Sequence, residues 1–505
     1  MKRIAFILAA LSLLYFVPAG GATRNTETQK LVSEYSRKEP LRSGIFGILA
    51  VRGSDTLAQY NRRLKMVPAS NVKLITTGLA LKQLGSSWRF STTLAHSGTV
   101  KDGVLHGDLY IVGGGDPTTG ARSSCADSLL KTFKTWKDLL DKAGIKEITG
   151  HVVGDGRYFK RPLQSMTWQA EDMGYNYGAG PSGLNFFENA QTFTVKPSML
   201  GKSPLVEPVY PETPWMSFVN SARTGEAKSA NTIYYINSEY APVGEFQGSF
   251  PSDRKSYKLE ASNFYGPYTC AYYFYRYLLS GGMKVHGAYA DVSPQGLLRT
   301  DLLFSDIGRK AAAPETLTAL GKGWSPALRQ IVRDTNFESD NFYAETLFNI
   351  LPVSLYGQSG RELSEKAVYE LLAAMGLKTD GACQMVDGSG LSRKDYISPD
   401  FFVRFLRKMF WSPEKDAYIA SLPYPGSKST LLNRMPDAPD DVKERIKMKS
   451  GSMNGVRSFS GYILPADGND SKTIFFSIIT NNITAPTYKV AQILDEIILS
   501  LAQEP

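Results

Sequence analysis

A mixed α/β domain, interrupted by a long β-rich insertion and closed by its own two ends, is the fold predicted for this 505-residue chain. Three observations predict it. Strand-like segments stand near both ends: "SGIFGILAVRGSDTLAQYN" (Ser43 to Asn61) on one side, and "RIKMKSG", "RSFSGYIL" and "KTIFFSIITNN" on the other. Helical patterns lie between these ends. From Ser91 to about Asp301 the texture shifts to short strand-like pieces rich in Gly, Pro and aromatic residues.

The elements follow in order. "MKRIAFILAALSLLYFVPAGGA" carries Lys2 and Arg3, an apolar run from Ile4 to Val17, and small residues through Ala22, the three-part layout of a secretory signal. The apolar run is short against the roughly 20 residues of a membrane-spanning helix. Residues 1–22 are therefore expected to direct export to a periplasmic or extracytoplasmic compartment and to be cleaved. Ser43 to Asn61 reads as a hairpin around Gly-Ser-Asp. A helix is expected from about Pro68, with Val72, Ile75 and Leu79 on one stripe and Gly85 as its stop. The insertion, with pieces such as "GDLYIVGGGDP" and "GHVVGDGRYF", shows one helical stretch near Ser128 to Ala143. After Asp301, "PETLTALGKGWSPALRQIVRDTN", "NFYAETLFNIL" and "SEKAVYELLAAMG" read as helices, and Val490, Leu494, Ile497 and Leu501 stripe a closing one. The expected organisation is one domain from 23–90 and 301–505, with 91–300 as an accessory region of two small domains.

Composition narrows the function. A hydrophobic content of 42% argues against a disordered chain. The net charge of +9 suits contact with anionic polymers such as a cell wall, while scattered Lys and Arg and the absence of a recognition motif argue against nucleic acid. Cys125, Cys270 and Cys383 are far apart and form no zinc spacing, so neither a metal nor another cofactor is expected. "VGGGDPTTG" lacks the lysine of a phosphate loop.

All four histidines, His96, His106, His151 and His286, fall inside the insertion, and no G-x-S-x-G elbow occurs. A serine nucleophile can instead be activated by a neutral lysine, and "VPASNVKLITTG" places Ser70 and Lys73 on one helical face. Alone, that spacing is common. It is followed in order by Ser339-Asp340-Asn341 and by Lys449-Ser450-Gly451 on a predicted strand. Each residue then has a task. Ser70 attacks a carbonyl, and Lys73 takes its proton, kept neutral by burial beside the second cation, Lys449. Ser339 relays a proton to the leaving amine, and Asn341 holds Lys73 and the substrate amide. Lys449, Ser450 and Ser452 receive a carboxylate, and Gly451 admits substrate backbone. The Ser70 and Ser452 amides form the oxyanion hole. The competing reading is a capping serine, a solvated Asp-Asn turn and a strand-edge lysine. "DGSGLSR" (Asp387 to Arg393) reads as structural support behind the site.

S-x-x-K, S-x-N and K-[ST]-G in this order are the motif set of penicillin-binding proteins and serine β-lactamases. With "LYIVGGGDPT", "GAGPSGLNFFEN", "SDNFYAE", "VDGSGLSRKDYISP", "LPYPGSKSTLLNRM" and "KSGSMNGVRSFSGY", the chain resembles the class C low-molecular-mass penicillin-binding proteins, the D-alanyl-D-alanine carboxypeptidase/endopeptidases of peptidase family S13. The resemblance implies an antiparallel five-stranded sheet with flanking helices, with Ser70 between two lobes and an insertion between the first two motifs. It also implies peptidoglycan stem peptides ending in D-Ala-D-Ala as substrates and β-lactam antibiotics as covalent inhibitors. Ser450 stands where the family usually has threonine. Two further readings stay open: a β-lactamase or esterase with the same site, and a non-catalytic wall-binding scaffold.

Overall fold

The computed structural model describes residues 26–239, 241–302 and 312–504, so the segment 1–22 read as an export signal lies outside the described residues. A five-stranded antiparallel sheet is built from both ends of the chain. Its strands are β1 (Ile45–Arg52), β2 (Asp55–Tyr60), β3 (Ile446–Met453), β4 (Val456–Ile463) and β5 (Ile474–Asn481), in spatial order β2-β1-β5-β4-β3. The central β5 is buried along its whole length.

Alternation along the strands divides the apolar side chains between two layers. Phe46, Ile48 and Ala50 of β1, with Phe476 and Ile478 of β5, pack under two helices, α1 (Glu27–Tyr35) and α7 (Thr487–Gln503). The closing stripe Val490, Leu494, Ile497 and Leu501 is buried there. Leu49, Val51, Phe475 and Ile479 face the opposite layer. That layer holds α2 (Val72–Leu84), α3 (Leu328–Phe337), α4 (Asn341–Tyr356), α5 (Arg361–Ala374) and α6 (Pro399–Phe410). α2 lies deep inside it, buried from Val72 to Leu81, and Gly78 lets the Phe405 ring approach its backbone.

The insertion builds two further cores. One is a six-stranded mixed sheet in which Leu109–Val112 and Tyr289–Val292 run parallel to Val152–Asp155, with helices Leu129–Lys142 and Gly266–Ser280 packed on it. The other clusters Phe193, Tyr235, Phe246, Phe250 and Leu259 between short strands.

The structure departs from the expectations in two places. The stretch around 318–324, read as helical, is a strand, Thr318–Trp324, paired antiparallel with Ser91–His96. It belongs to the accessory sheet and so carries that region past the expected boundary at 300. Gly321 and Gly323 explain it, since a side chain at either would run into Leu139 or Trp136 of the helix packed on this strand. The helix Gly266–Ser280 was read as β-rich texture. It is buried on most sides, so its apolar residues show no single stripe.

Candidate active site

The turn before α2 is held from several sides. The Val67 amide donates to Asn481 Oδ1 at 2.8 Å, and Asn481 Nδ2 donates back to the Val67 carbonyl at 2.9 Å. Ser458 Oγ donates to the Pro68 carbonyl at 2.6 Å, and Asn71 Nδ2 donates to Ser460 Oγ at 2.8 Å. These bonds from β4 and β5 hold Ala69 in a left-handed conformation (φ +49°) beside Ser70. Such strain persists only where the surroundings over-determine it. Two glycines crowd the same turn. A Cβ on Gly390 would lie 2.0 Å from the Ala69 carbonyl oxygen, and one on Gly451 would lie 2.5 Å from that of Pro68. Gly451, expected to give substrate room, is thus needed by the turn carrying Ser70.

Lys73, fully buried on the first turns of α2, makes three hydrogen-bonding contacts through Nζ. They run to Ser70 Oγ at 3.0 Å, Asn341 Oδ1 at 2.6 Å and the Ser389 carbonyl at 2.7 Å. Asn341 sits at the start of α4, where Asp340 caps the helix through the Tyr343 amide at 2.8 Å. Its Nδ2 donates to the Tyr177 carbonyl at 2.9 Å. A carbonyl can only accept, so this contact from the insertion fixes which end of the amide faces Lys73. Ser339 adopts a left-handed conformation (φ +60°), and Lys449 Nζ donates to Ser339 Oγ at 2.8 Å and to the Ser450 carbonyl at 2.9 Å. Ser450 Oγ lies 3.1 Å from Thr430 Oγ1.

β3 is one of the two edge strands of this sheet. Its Met448 amide donates away from the sheet, to the Pro423 carbonyl at 2.9 Å. By the two-residue period, the Ser450 and Ser452 amides point the same outward way, as an oxyanion donor at Ser452 requires. The structure therefore brings Ser70, Lys73, Ser339, Asn341 and Lys449 together, with Ser450, Gly451 and Ser452 along one rim.

Burial pulls the Lys73 ammonium down to about 8, while the charges of Asp387, Asp340, Glu345 and Asp395 pull it back up. Lys449 falls well below the usual lysine range, first through burial and then through the charge of Lys73 and of Arg457. Burial, rather than the neighbouring Lys449, is thus the main cause that lowers Lys73 toward its neutral form. Burial raises Asp340 to about 7, with the Glu188 charge adding to it. Asp395 is raised well above the carboxylate range by burial and by Asp387.

Behind this cluster lies the stretch Asp387 to Arg393, where the sequence pointed to structural support, together with Glu345, Trp168 and Tyr177, which sequence reasoning missed. Asp387 accepts from the Gly390 and Ser392 amides, each at 2.7 Å, and from Trp168 Nε1 at 2.8 Å. Glu345 is fully buried in α4. A glutamate one turn after Asn341, the one ionisable acid in the largely apolar "NFYAETLFNIL", was the available signal. Nothing in the sequence pointed to Trp168 or Tyr177, because both reach the site from the insertion through tertiary contacts.

Comparisons with known proteins show the family and the fold. A sequence model of the peptidase S13, D-Ala-D-Ala carboxypeptidase 3 family matches residues 28–498. The chain is 27% identical over 518 residues to a D-alanyl-D-alanine carboxypeptidase of an Actinomadura species, covering 98% of this chain and 89% of that protein. It is 24% identical to the D-alanyl-D-alanine carboxypeptidase DacB of Haemophilus influenzae, covering 93% of this chain and 92% of that one. The crystal structure of penicillin binding protein 4 from H. influenzae superposes with a TM-score of 0.77 at 22% identity, over 93% of this chain and 99% of that one, and so shares the fold. With its sheet, its ordered motifs and a family match over nearly its whole length, the chain belongs to the peptidase S13 family of D-Ala-D-Ala carboxypeptidases.

Proposed function

We propose that this member of the family is a serine D-Ala-D-Ala carboxypeptidase that also cleaves D-alanyl cross-links as a DD-endopeptidase. It acts on peptidoglycan stem peptides outside the cytoplasm, where the leader-like residues 1–22 would deliver it. Among the described residues, no helix is long and apolar enough to cross a membrane.

The observation that carries the reading is the surroundings of Lys73 Nζ, 3.0 Å from Ser70 Oγ, with both other contacts going to groups that only accept. A neutral amine there uses its lone pair on the serine proton. Ser70 Oγ adds to the penultimate D-Ala carbonyl, and the developing oxyanion meets the Ser70 and Ser452 amides. Ser339, held by Lys449 Nζ, relays a proton to the departing D-Ala nitrogen as the C–N bond breaks, giving up its own and taking the one Lys73 removed from Ser70, so that Lys73 is again neutral. Lys449, Ser450 and Ser452 receive the terminal carboxylate. Water, activated by the same base, then opens the acyl-enzyme. β-Lactams enter as cyclic amides that acylate Ser70.

The test is incubation of the purified protein with a stem pentapeptide and with a cross-linked dimer, followed by product identification. Released D-alanine and separated monomers are expected. Intact substrates, or rapid penicillin turnover with no D-alanine release, would replace this reading with the scaffold or the β-lactamase one.

A further inference from the structure

Glu345 has a place in the site that none of the motifs assigns. It is fully buried, yet it is not a spare charge. Oε1 accepts from the Gly388 and Ser389 amides, each at 2.9 Å, and Oε2 pairs with Arg361 Nη1 at 3.1 Å. The peptide so held is pressed onto α4, where a Cβ on Gly388 would lie 2.5 Å from Phe348 Cβ and 2.7 Å from the Ala344 carbonyl oxygen. Thr76 Oγ1 of α2 grips the same peptide through the Gly388 carbonyl at 2.7 Å. The next carbonyl, that of Ser389, accepts from Lys73 Nζ at 2.7 Å.

An ammonium has three N–H donors, whereas a neutral amine has two and one lone pair. Asn341 Oδ1 and the Ser389 carbonyl are both acceptors, so together they engage both N–H groups of the neutral form. The third direction points at Ser70.

Resting on the reading that Lys73 is the base for Ser70, we propose that Glu345 is a positioning residue for that base. Through the Gly388 and Ser389 amides it holds the Ser389 carbonyl against Lys73, so that the lone pair of the neutral amine is turned toward Ser70. Burial and the Asp387 charge push the Glu345 carboxyl up, while Arg361 opposes that shift and holds the carboxyl in place, itself tied to the insertion through the Leu163 carbonyl at 3.1 Å.

The titratable groups acting on Lys73 are Asp387, Asp340, Glu345 and Asp395, with Lys449 as the neighbouring amine. Losing Glu345 takes away one of the four carboxylates and frees an acceptor. Both changes disfavour the ammonium, so the acid limb of acylation moves to lower pH while the misdirected amine slows the step.

The test uses the full mature chain and benzylpenicillin, with the acylation rate followed by mass across a range of pH and expressed per acylatable chain. Three proteins are compared: wild type, Glu345→Leu, and the double variant Glu345→Gln/Arg361→Met, whose amide oxygen can still accept from both amides. Glu345→Leu is expected to slow acylation about 100-fold, the cost of a misplaced reacting group, and to move the limb to lower pH. The double variant should recover to within about tenfold of wild type. If Glu345→Leu fails to fold, the double variant decides, by acylating within that range with a lowered limb. A wild-type rate and unmoved limb in Glu345→Leu, or a double variant about 100-fold slower than wild type, would overturn the proposal. A wild-type chain that is never acylated at Ser70 would instead overturn the reading of the site.

Discussion

Replacing Gly390 with alanine tests how the loop behind the nucleophile sets its position. Gly390 has φ +78°, and its Cβ would lie 2.0 Å from the Ala69 carbonyl oxygen, 2.5 Å from the Ala69 carbonyl carbon and 3.1 Å from the Ser70 amide nitrogen. A left-handed alanine costs about 1–2 kcal/mol. Overpacking against backbone adds about 1–3 kcal/mol, so the fold should lose about 2–5 kcal/mol in all. Relief requires the Ala69–Ser70 main chain to move by about an ångström, which costs a reacting group about 100-fold in rate. Gly381 is the control: its φ is +67° but nothing lies within 4 Å of its Cβ, so Gly381→Ala carries the conformational cost alone. The assays are urea unfolding and the rate of penicillin acylation. Gly390→Ala matching Gly381→Ala in both would refute the claim that the 388–390 backbone positions Ser70.

Three further outcomes are expected. Because burial brings Lys73 from 10.5 to about 8, its neutral form predominates only above that pH, so wild-type acylation should fall about tenfold per pH unit below about 8; a limb near 10.5 would deny the desolvation. Lys449→Ala should slow acylation by carboxylate-bearing penicillin about 100-fold and by an esterified analogue less than about tenfold; equal losses would show that Lys449 acts through Lys73 instead. Asp340, raised from 3.8 to about 7, binds its proton more tightly when folded, so its ionisation withdraws stability as pH rises from about 4 to 7. Asp340→Asn, which can still cap α4, should therefore gain stability over wild type across that range, by up to about 4 kcal/mol at pH 8, in pH-dependent thermal melts; a constant difference would contradict the shift.

The sequence revealed most where chemistry or period is local. The hairpin β1–β2, the strands β3 to β5 and the stripe on α7 each repeat at the spacing of their element. Ser70 with Lys73, Ser339 with Asn341, and Lys449 with its following glycine each sit within one turn or one strand. What was hidden depends on packing. Thr318–Trp324 follows a helical pattern into a strand because glycines face a helix at Leu139 and Trp136. Gly266–Ser280 is wrapped on most sides and so shows no stripe. Trp168 and Tyr177 lie far from the motifs in the chain, yet they hold Asp387 and Asn341. Those two contacts give the insertion a part in supporting the groups of the site. Removing it should impair acylation as well as substrate reach.

The proposed mechanism rests on one serine, paired with Lys73, as the nucleophile. Its most direct test is mass spectrometry of the protein after brief exposure to benzylpenicillin, followed by mapping of the modified peptide. A single adduct of one penicillin per chain is expected, on the peptide carrying Ser70, and none on Ser70→Ala. An adduct on another residue, or one that persists in Ser70→Ala, would contradict it.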